Sequence, residues 1–121
     1  MVMQLQASVS ASSFDEHYQM AYVYCRDVVT GYCFSLSRFP DNEEIEIMVM
    51  DQLNTRVADI NVRFDGYTIY VKLDSSVATR LDGEQQYEIK LVPQARCRPD
   101  AATALKKIFE GKTGFQGSAS I

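Results

Sequence analysis

The sequence predicts a single α+β domain built on a mostly antiparallel β-sheet of about six or seven strands. Three observations support this fold class. Short runs that alternate between apolar and polar residues recur along the first 92 residues, a turn dipeptide separates two of them, and one amphipathic helix pattern follows near the C-terminus. A helix that short needs a sheet face on which to pack. We therefore expect one short helix and a C-terminal helix that packs on one face of the sheet.

The segment Asp59–Leu73 carries the clearest hairpin pattern in the chain. Two alternating runs flank Asp65-Gly66, a dipeptide favoured in two-residue hairpin loops because both of its residues tolerate a positive φ. A loop centred on this dipeptide would bring the apolar side chains of both strands onto one face and an opposite-charge pair onto the other. The predicted cross-strand pairs are Phe64–Tyr67, Val62–Ile69, Ile60–Val71 and Asp59–Lys72.

The N-terminal part of the chain predicts three strands. Val2–Val9 alternates between apolar and polar residues and is expected to end where the polar stretch Ser10–Glu16 begins. Tyr18–Cys25 and Tyr32–Ser37 are rich in aromatic residues, which favour strands, and the turn residues Asp27–Gly31 lie between them. We therefore expect a second hairpin in this region.

The middle of the chain predicts two further strands and a short helix. Glu44–Asp51 begins with strict alternation and ends in apolar residues, which indicates a strand covered on both faces at its end, with a short buried helix as the alternative. Asp74-Ser75-Ser76 supplies N-cap side chains for a short helix over residues 76–82. Gln85–Val92 alternates again and is expected to pair with the second strand of the Asp59–Leu73 hairpin.

The C-terminal helix is predicted at Asp100–Glu110, with Asp100 as its N-cap and Gly111 where a C-terminal glycine is favoured. Its apolar residues fall on one stripe, which the helix must bury against the sheet to be stable. Residues 1–111 are therefore assigned to a single domain, and residues 112–121, rich in Gly, Ser and Ala, to a flexible tail. The stripe consists of Ala101, Ala104, Leu105, Ile108 and Phe109.

Composition narrows the classes of partner and compartment. The 121 residues suit one domain, and 46% hydrophobic and 23% charged residues are ordinary for a globular protein. The net charge of −4 opposes binding to nucleic acid or to an anionic membrane surface; it fits a basic protein partner, and it is also what solubility alone favours. No apolar run approaches the ~20 residues of a membrane helix, and the N-terminus lacks a signal-peptide pattern. Three cysteines do not form a disulfide framework, so we expect a cytoplasmic protein.

The sequence lacks the usual patterns of catalytic and metal-binding residues. His17, the only histidine, has carboxylates beside it, but no nucleophile pattern accompanies it. One histidine and three scattered cysteines do not supply a zinc site, and the acidic residues lack the spacing of a calcium loop. Cys25 and Cys33 would face each other if the second hairpin were centred on Val29, either as a redox pair or as small buried apolar side chains. The sequence therefore predicts no catalytic residue, no metal and no cofactor.

The densest acidic cluster is expected to be either a partner-binding surface or a solvated strand end. Carboxylates attract a basic protein surface and speed the encounter with it. Tyr70, on the polar face of the Asp59–Leu73 hairpin, adds a residue type that is enriched at protein interfaces. The acidic residues of the cluster are Asp41, Glu43, Glu44 and Glu46.

Several short motifs follow one another between Glu44 and Gly114. A strand ends in Asp51-Gln52, followed by Asn54 and a hairpin, and a short segment ends in Leu81-Asp82-Gly83. The last motif is Leu105-Lys106-Lys107-Ile108-Phe109-Glu110-Gly111, a leucine followed by Ile-Phe and Gly. This order resembles the small bacterial immunity proteins of the immunity-protein-10 type, which are encoded beside polymorphic toxins.

The resemblance implies a protein that binds a cognate toxin domain and neutralises it by occluding the toxin's surface, with no catalysis of its own. It implies a partner-binding role for Asp51, Gln52 and Asn54. Capping of backbone groups at the strand turn is the alternative role of Asp51 and Gln52. The alternative function is that of a small structural domain that self-associates as a homodimer through a sheet face or edge.

Overall fold

The computed structural model describes residues 2–16, 19–50, 52–92 and 98–117, with the backbone only at residues 98 and 99. It shows an α+β fold in which the sheet dominates. The strands are β1 (Val2–Asp15), β2 (Met20–Asp27), β3 (Cys33–Arg38), β4 (Ile45–Val49), β5 (Leu53–Val57), β6 (Asn61–Phe64), β7 (Thr68–Lys72), β8 (Gln86–Leu91) and β9 (Phe115–Gly117). The helices are α1 (Ser75–Arg80), close to its predicted place, and α2 (Arg98–Ile108).

The strands of the described residues form one curled sheet of nine, in the order β5-β4-β3-β2-β1-β8-β7-β6-β9. Neighbouring strands are antiparallel except for β1–β8 and β6–β9, which are parallel. The sheet is therefore mostly antiparallel, as predicted, but the predicted count of about six or seven strands is too low and the two parallel pairs were not expected. The short edge strands β5 and β9 lack a clear apolar alternation, and parallel pairing between distant segments leaves no local pattern in the sequence.

β1 is longer than predicted because it has a different neighbour on each half. Val2–Ala7 pairs with β8, whereas Ala7–Ser12 pairs with β2. The polar stretch Ser10–Glu16 therefore continues the strand as far as Asp15 instead of ending it. Polar side chains are tolerated there because every second residue points to the outer, solvent-facing side of the sheet. β2 and β3 form the second hairpin, as predicted.

The β6–β7 hairpin forms in the predicted segment, but its register is shifted by two residues. Val62 pairs with Val71, and Asn61 lies opposite Lys72. The four predicted cross-strand pairs, that between Asp59 and Lys72 among them, are therefore wrong. A shift of two residues keeps the side chains within both strands on their predicted faces, because side chains in a strand alternate with a period of two, but Tyr67 moves into the loop.

Asp65 fixes this register by lying before the loop and not within it. Its carboxylate Oδ1 accepts hydrogen bonds from the backbone amides of Tyr67 at 2.9 Å and Thr68 at 2.8 Å. The two loop residues are consequently Gly66 and Tyr67. Gly66, with a φ of 97°, takes the first position, which is where a type II′ loop requires glycine.

The core lies between the inner face of the curled sheet and α2, which crosses β1 and β2 and also touches β3 and β9. The apolar stripe predicted for α2 is confirmed, since all five of its residues are buried. The predicted apolar face of the β6–β7 hairpin is confirmed as well, apart from Tyr67, which is a loop residue and 65% exposed. Its buried residues are Ile60, Val62, Phe64, Ile69 and Val71.

Arg38 joins the end of β3 to the end of α2. Its Nη1 donates hydrogen bonds to the carbonyl oxygens of Ile108 and Glu110, both at 2.8 Å, and its Nε donates to the carbonyl oxygen of Asn42 at 2.7 Å. The last carbonyls of a helix lack intrahelical donors and carry partial negative charge, so a guanidinium is well placed there. Gly111 follows with a φ of 80°, as a C-terminal glycine does.

Residues 115–117, which the sequence assigned to a tail, form β9 beside β6. Asp59 fixes the backbone segment that leads into this strand, because its Oδ2 accepts hydrogen bonds from the backbone amides of Thr113 and Gly114 at 3.1 and 3.2 Å. The Phe115 ring stacks on Phe109, the residue that follows α2, with a centroid distance of 5.5 Å. Long-range contacts of this kind are not encoded in a local glycine-rich composition.

Candidate partner-binding groove

A groove of about 520 Å³ lies on the outer face of the sheet, over β2, β3 and β4. The strand register gives it two rows of three residues, each with a serine in the middle. The side chains of β2 and β4 form the walls, and the small serines of β3 form the floor. The rows are Tyr22–Ser37–Glu46 and Tyr24–Ser35–Met48.

Alternation within each strand explains why these residues meet on this face. Odd-numbered residues of β2 point into the core, so Tyr22 and Tyr24 point outward. β3 buries Phe34 and Leu36 on the inner face and therefore presents its serines outward. The aromatic-rich pattern of the Tyr18–Cys25 segment predicted the strand, but the groove depends on the serines of a neighbouring strand.

Hydrogen bonds at the edges of the groove hold the two tyrosines. The hydroxyl of Tyr22 lies 3.1 Å from Ser10 Oγ on β1, and the hydroxyl of Tyr24 donates to Cys33 Sγ at 3.0 Å. Cys33 Sγ in turn donates to the carbonyl oxygen of Gly31 at 3.2 Å. The rings are thereby positioned in the free protein, which lowers the entropy that a partner must remove on binding.

The charge of the groove is negative. Glu46 is the charged residue that lines it, and none of the described lining residues is cationic. Arg56 on β5 approaches Glu46 at 4.0 Å from outside the groove, and both side chains are solvent-accessible. A single exposed pair at that distance is weak, so it leaves the carboxylate open to another cation.

The predicted acidic residues Asp41, Glu43 and Glu44 are exposed in the loop between β3 and β4. This loop begins at Phe39, which lines the groove. It is ordered by its own hydrogen bonds, in which the Glu44 amide donates to Asn42 Oδ1 at 2.9 Å and the Asn42 amide to the Phe39 carbonyl at 3.0 Å. The structure therefore brings the acidic loop and Glu46 together at one end of the groove.

Gln52 and Asn54 lie toward the other end of β4. Asn54 pairs with Met48 across the β4–β5 register and is exposed beside the groove. Gln52 is exposed in the tight connection between the two strands, where its amide donates to the Val49 carbonyl at 3.3 Å. Asp51 lies outside the described residues.

Met50, which precedes this turn, has a φ of 57° and is 48% exposed. Met48 is half-buried and lines the groove. The expectation that β4 ends covered on both faces is therefore wrong: its inner face packs on the core, and its outer face belongs to the groove. The alternating period gave the strand, but it could not show that the apolar outer residues would line a surface groove.

Tyr70 does not join this groove. It lies on β7, five strand positions from β4, and lines a separate depression of about 510 Å³. The guanidinium of Arg63 sits over its ring, 4.1 Å from the centroid, as in a cation–π contact. Lys72 and Glu88 also line this second depression, so its charge is mixed.

The sequence did not predict a polar cluster made by Tyr32, Asp82 and Tyr87. The Tyr32 hydroxyl donates to Asp82 Oδ2 and lies 2.9 Å from the Tyr87 hydroxyl, which donates to Asp82 Oδ1 at 3.1 Å. Burial, and in addition the Asp82 carboxylate, raise the pKa of both tyrosines well above the ordinary range. The Leu81-Asp82-Gly83 motif contains the acidic member of this cluster, but its partners come from distant segments.

The two described cysteines do not form a redox pair. Cys25 pairs with Phe34 and Cys33 with Arg26, so the hairpin is not centred on Val29 and the two thiols lie on opposite faces of the sheet. Burial raises the pKa of the Cys25 thiol to about 12, which makes its thiolate inaccessible at neutral pH. The redox alternative is therefore excluded by geometry.

Within the described ranges, no three His, Cys, Asp or Glu side chains converge in a way that could hold a metal ion. His17 lies outside these ranges. None of the helices in the described part of the chain has the length and apolarity needed to cross a bilayer.

Comparison of the chain with protein-family models, with curated proteins and with solved structures gives no match.

Proposed function

We propose that the chain is an immunity-type binding protein that neutralises a cognate bacterial toxin domain in the cytoplasm by covering its surface. The observation that carries this proposal is the groove on the outer face of the sheet, which combines aromatic walls with one carboxylate, Glu46, held only by a weak exposed pair with Arg56. The motif order between Glu44 and Gly114 supports the same function by resemblance. The proposal assigns no catalytic residue, metal or cofactor to the chain.

The mechanism is occlusion. The acidic loop with Asp41, Glu43 and Glu44 steers a basic toxin surface toward the groove, because complementary charge increases the rate of association. Tyr22 and Tyr24 then supply contact area as the partner excludes water, since partly exposed aromatic side chains are the usual anchors of protein interfaces. A toxin covered in this way cannot reach its substrate.

Two exposed phenylalanines extend the contact surface. Phe14 and Phe39 are 49% and 45% exposed and line one small pocket at the acidic end of the groove. The register also places Glu16 and the turn after β1 at this end of the sheet. Arg38, Lys107 and Glu110 also line this pocket, so the apolar pair has charged residues of both signs around it, as in the core-and-rim arrangement of protein interfaces.

Co-purification with the product of the adjacent gene tests the proposed function. We expect a tagged chain to retain the neighbouring toxin, and a triple variant with Glu43, Glu44 and Glu46 each changed to Lys to lose it, because like charges then face each other. A matched variant with Asp74, Glu84 and Glu88 each changed to Lys has the same net charge and should retain the toxin. Retention by the first variant, or equal loss by both, would contradict the proposal.

Self-association is the alternative function, and the position of β5 at the edge of the described sheet favours it. β5 is the last strand on its side of the sheet, and Leu53 on it is 40% exposed. Such an edge can pair with a second copy of the chain. Light scattering over a wide concentration range would show a dimer if this is the function. A monomer that still retains the toxin would exclude it.

A further inference from the structure

We infer that the outer-face groove receives an arginine side chain of the partner protein, held between the Tyr22 ring and the Glu46 carboxylate. This inference rests on the proposed function and specifies the chemical group that the partner supplies. It depends on three features of the groove, namely its cross-section, its charge and its aromatic wall.

The cross-section suits a flat, cationic side chain. Tyr22 and Glu46 lie on β2 and β4, with Ser37 of β3 directly between them. Strands are spaced about 4.8 Å apart, so the two walls are separated by about 10 Å at the backbone. Because Ser37 is small, a planar group can descend between the walls and contact both.

The charge of the groove selects a cation. Its described lining residues include one carboxylate, three aromatic rings and no cation. Arg56 stands outside it, 4.0 Å from Glu46, with 57% of its side chain exposed. A partner guanidinium inside the groove can replace this weak pair by a forked hydrogen bond to the carboxylate, which a lysine ammonium cannot make.

The aromatic wall favours arginine for a second reason. A guanidinium stacks on the face of a tyrosine ring and also retains its hydrogen-bonding edge. The same sheet already contains such a contact on its other half, where the Arg63 guanidinium lies 4.1 Å from the centre of the Tyr70 ring. An outward tyrosine of this sheet thus already accepts a guanidinium over its ring.

A fluorescent oligo-arginine peptide is the probe, with oligo-lysine of the same length as the comparison. We expect the wild-type chain to bind oligo-arginine more tightly than oligo-lysine. Glu46→Gln and Tyr22→Leu should each weaken oligo-arginine binding about fivefold or more, because each removes one of the two groups that hold the guanidinium. Amide chemical shifts of β2, β3 and β4 should move when acetyl-arginine amide is added.

Two variants serve as controls. Glu88→Gln removes one charge from the other half of the outer face, beside the second depression. It should change the affinity for oligo-arginine by less than about twofold, since salt largely screens exposed charges that lie away from the groove. Tyr22→Phe keeps the ring but loses the hydroxyl that holds it to Ser10, so it should weaken binding less than Tyr22→Leu does, which separates loss of the aromatic face from loss of the hydroxyl. Circular dichroism shows whether each variant is folded.

No binding of oligo-arginine, an equal loss with Glu88→Gln and Glu46→Gln, or shifts confined to strands outside the groove would each overturn the inference. Co-purification distinguishes this failure from failure of the proposed function. If Glu46→Gln and Tyr22→Leu retain the toxin but the Glu43, Glu44 and Glu46 reversal loses it, the proposed function stands and the arginine site does not. If the reversal retains the toxin, the proposed function fails.

Discussion

At the scale of single residues, several carboxylates act on the backbone of the chain itself. Asp27 and Asp65 accept amide hydrogen bonds in hairpin loops, and Asp59 accepts them from the segment that leads to β9. These carboxylates contribute to the net charge, but they already accept hydrogen bonds from the backbone of the chain. Composition alone could not separate these carboxylates from exposed ones such as Asp41, Glu43 and Glu44 of the acidic loop.

Asp27 provides a test at this scale. Hydrogen bonds from the amides of Thr30, Gln6 and Val29 hold the pKa of its carboxyl group below the usual range. A lowered folded-state pKa stabilises the fold above the unfolded pKa of about 4, and this stabilisation is lost as the pH falls through the folded-state value. We expect Asp27→Asn to lower the free energy of unfolding by about 1 to 2 kcal/mol at neutral pH.

Urea denaturation near pH 7 and near pH 3 checks this prediction. The difference between the wild type and Asp27→Asn should shrink at the acidic pH, because pH 3 lies below the unfolded pKa of about 4, where the stabilisation from the lowered pKa begins to be lost. Asp41→Asn, in the exposed β3–β4 loop, is the control and should have little effect at either pH. A constant difference at both pH values would rule out the assigned role of the charge.

At the scale of elements, β9 shows how a three-residue strand can be held at a sheet edge. The Val62 amide donates to the Gly114 carbonyl at 2.9 Å, and Asp59 binds the residues before the strand. Gly114 is required by close approach, because an added Cβ would overlap the carbonyl oxygen of Ile60 and the Asp59 carboxylate. The strand thus depends on contacts with β6 that are absent from its own sequence.

Gly114→Ala should therefore release β9 from β6. We expect faster hydrogen exchange of the Val62 amide and a loss of about 2 kcal/mol in the free energy of unfolding, the usual range for overpacking. Gly83→Ala is the control: Gly83 has a φ of 90° but open space around it, so the change should cost about 1 kcal/mol in backbone strain and leave Val62 exchange unchanged. Unchanged Val62 exchange in Gly114→Ala would contradict the account of the strand.

At the scale of the whole molecule, the sheet curls so that distant strands meet. Phe34 of β3 contacts Tyr87 of β8 with a ring centroid distance of 4.7 Å, although two strands lie between them in the sheet. The cluster of Tyr32, Asp82 and Tyr87 joins the same two regions by hydrogen bonds. The curl places the core on the inner side and leaves the groove on the outer side.

The tyrosines of this cluster predict an alkaline limit to stability. Their raised pKa keeps both tyrosines neutral in the folded protein. The stability that the cluster gives the fold is therefore fully present below the unfolded tyrosine pKa of about 10. It is lost as the pH rises above that value, because the tyrosines then ionise more readily in the unfolded chain. We expect Tyr87→Phe to be less stable than the wild type at neutral pH but to lose less stability between about pH 9 and pH 11. Urea denaturation across this window measures both effects.

The exposed Tyr67, 65% accessible at the tip of the β6–β7 loop, provides the control. Tyr67→Phe should leave the alkaline loss of stability as it is in the wild type. An alkaline profile of Tyr87→Phe identical to that of the wild type would show that this cluster does not determine the limit.

The sequence by itself determined which residues face the core. The direction of a side chain depends only on the period of its strand or helix. The buried residues were therefore predictable from the alternation in β4, β6, β7 and β8 and from the apolar stripe on α2. For that reason the apolar face of the β6–β7 hairpin was predicted correctly even though its register was not. The predicted acidic residues of the groove were also brought together, because they lie close in sequence.

Only the tertiary structure decided which elements are neighbours. The parallel β1–β8 and β6–β9 pairs and the tyrosine cluster join segments far apart in sequence, and no local pattern encodes such contacts. The groove has the same origin, because its walls and floor come from three strands and Tyr70 falls outside it. Periodicity fixes the direction of a side chain, whereas a site requires the positions of several chain segments, which packing alone establishes.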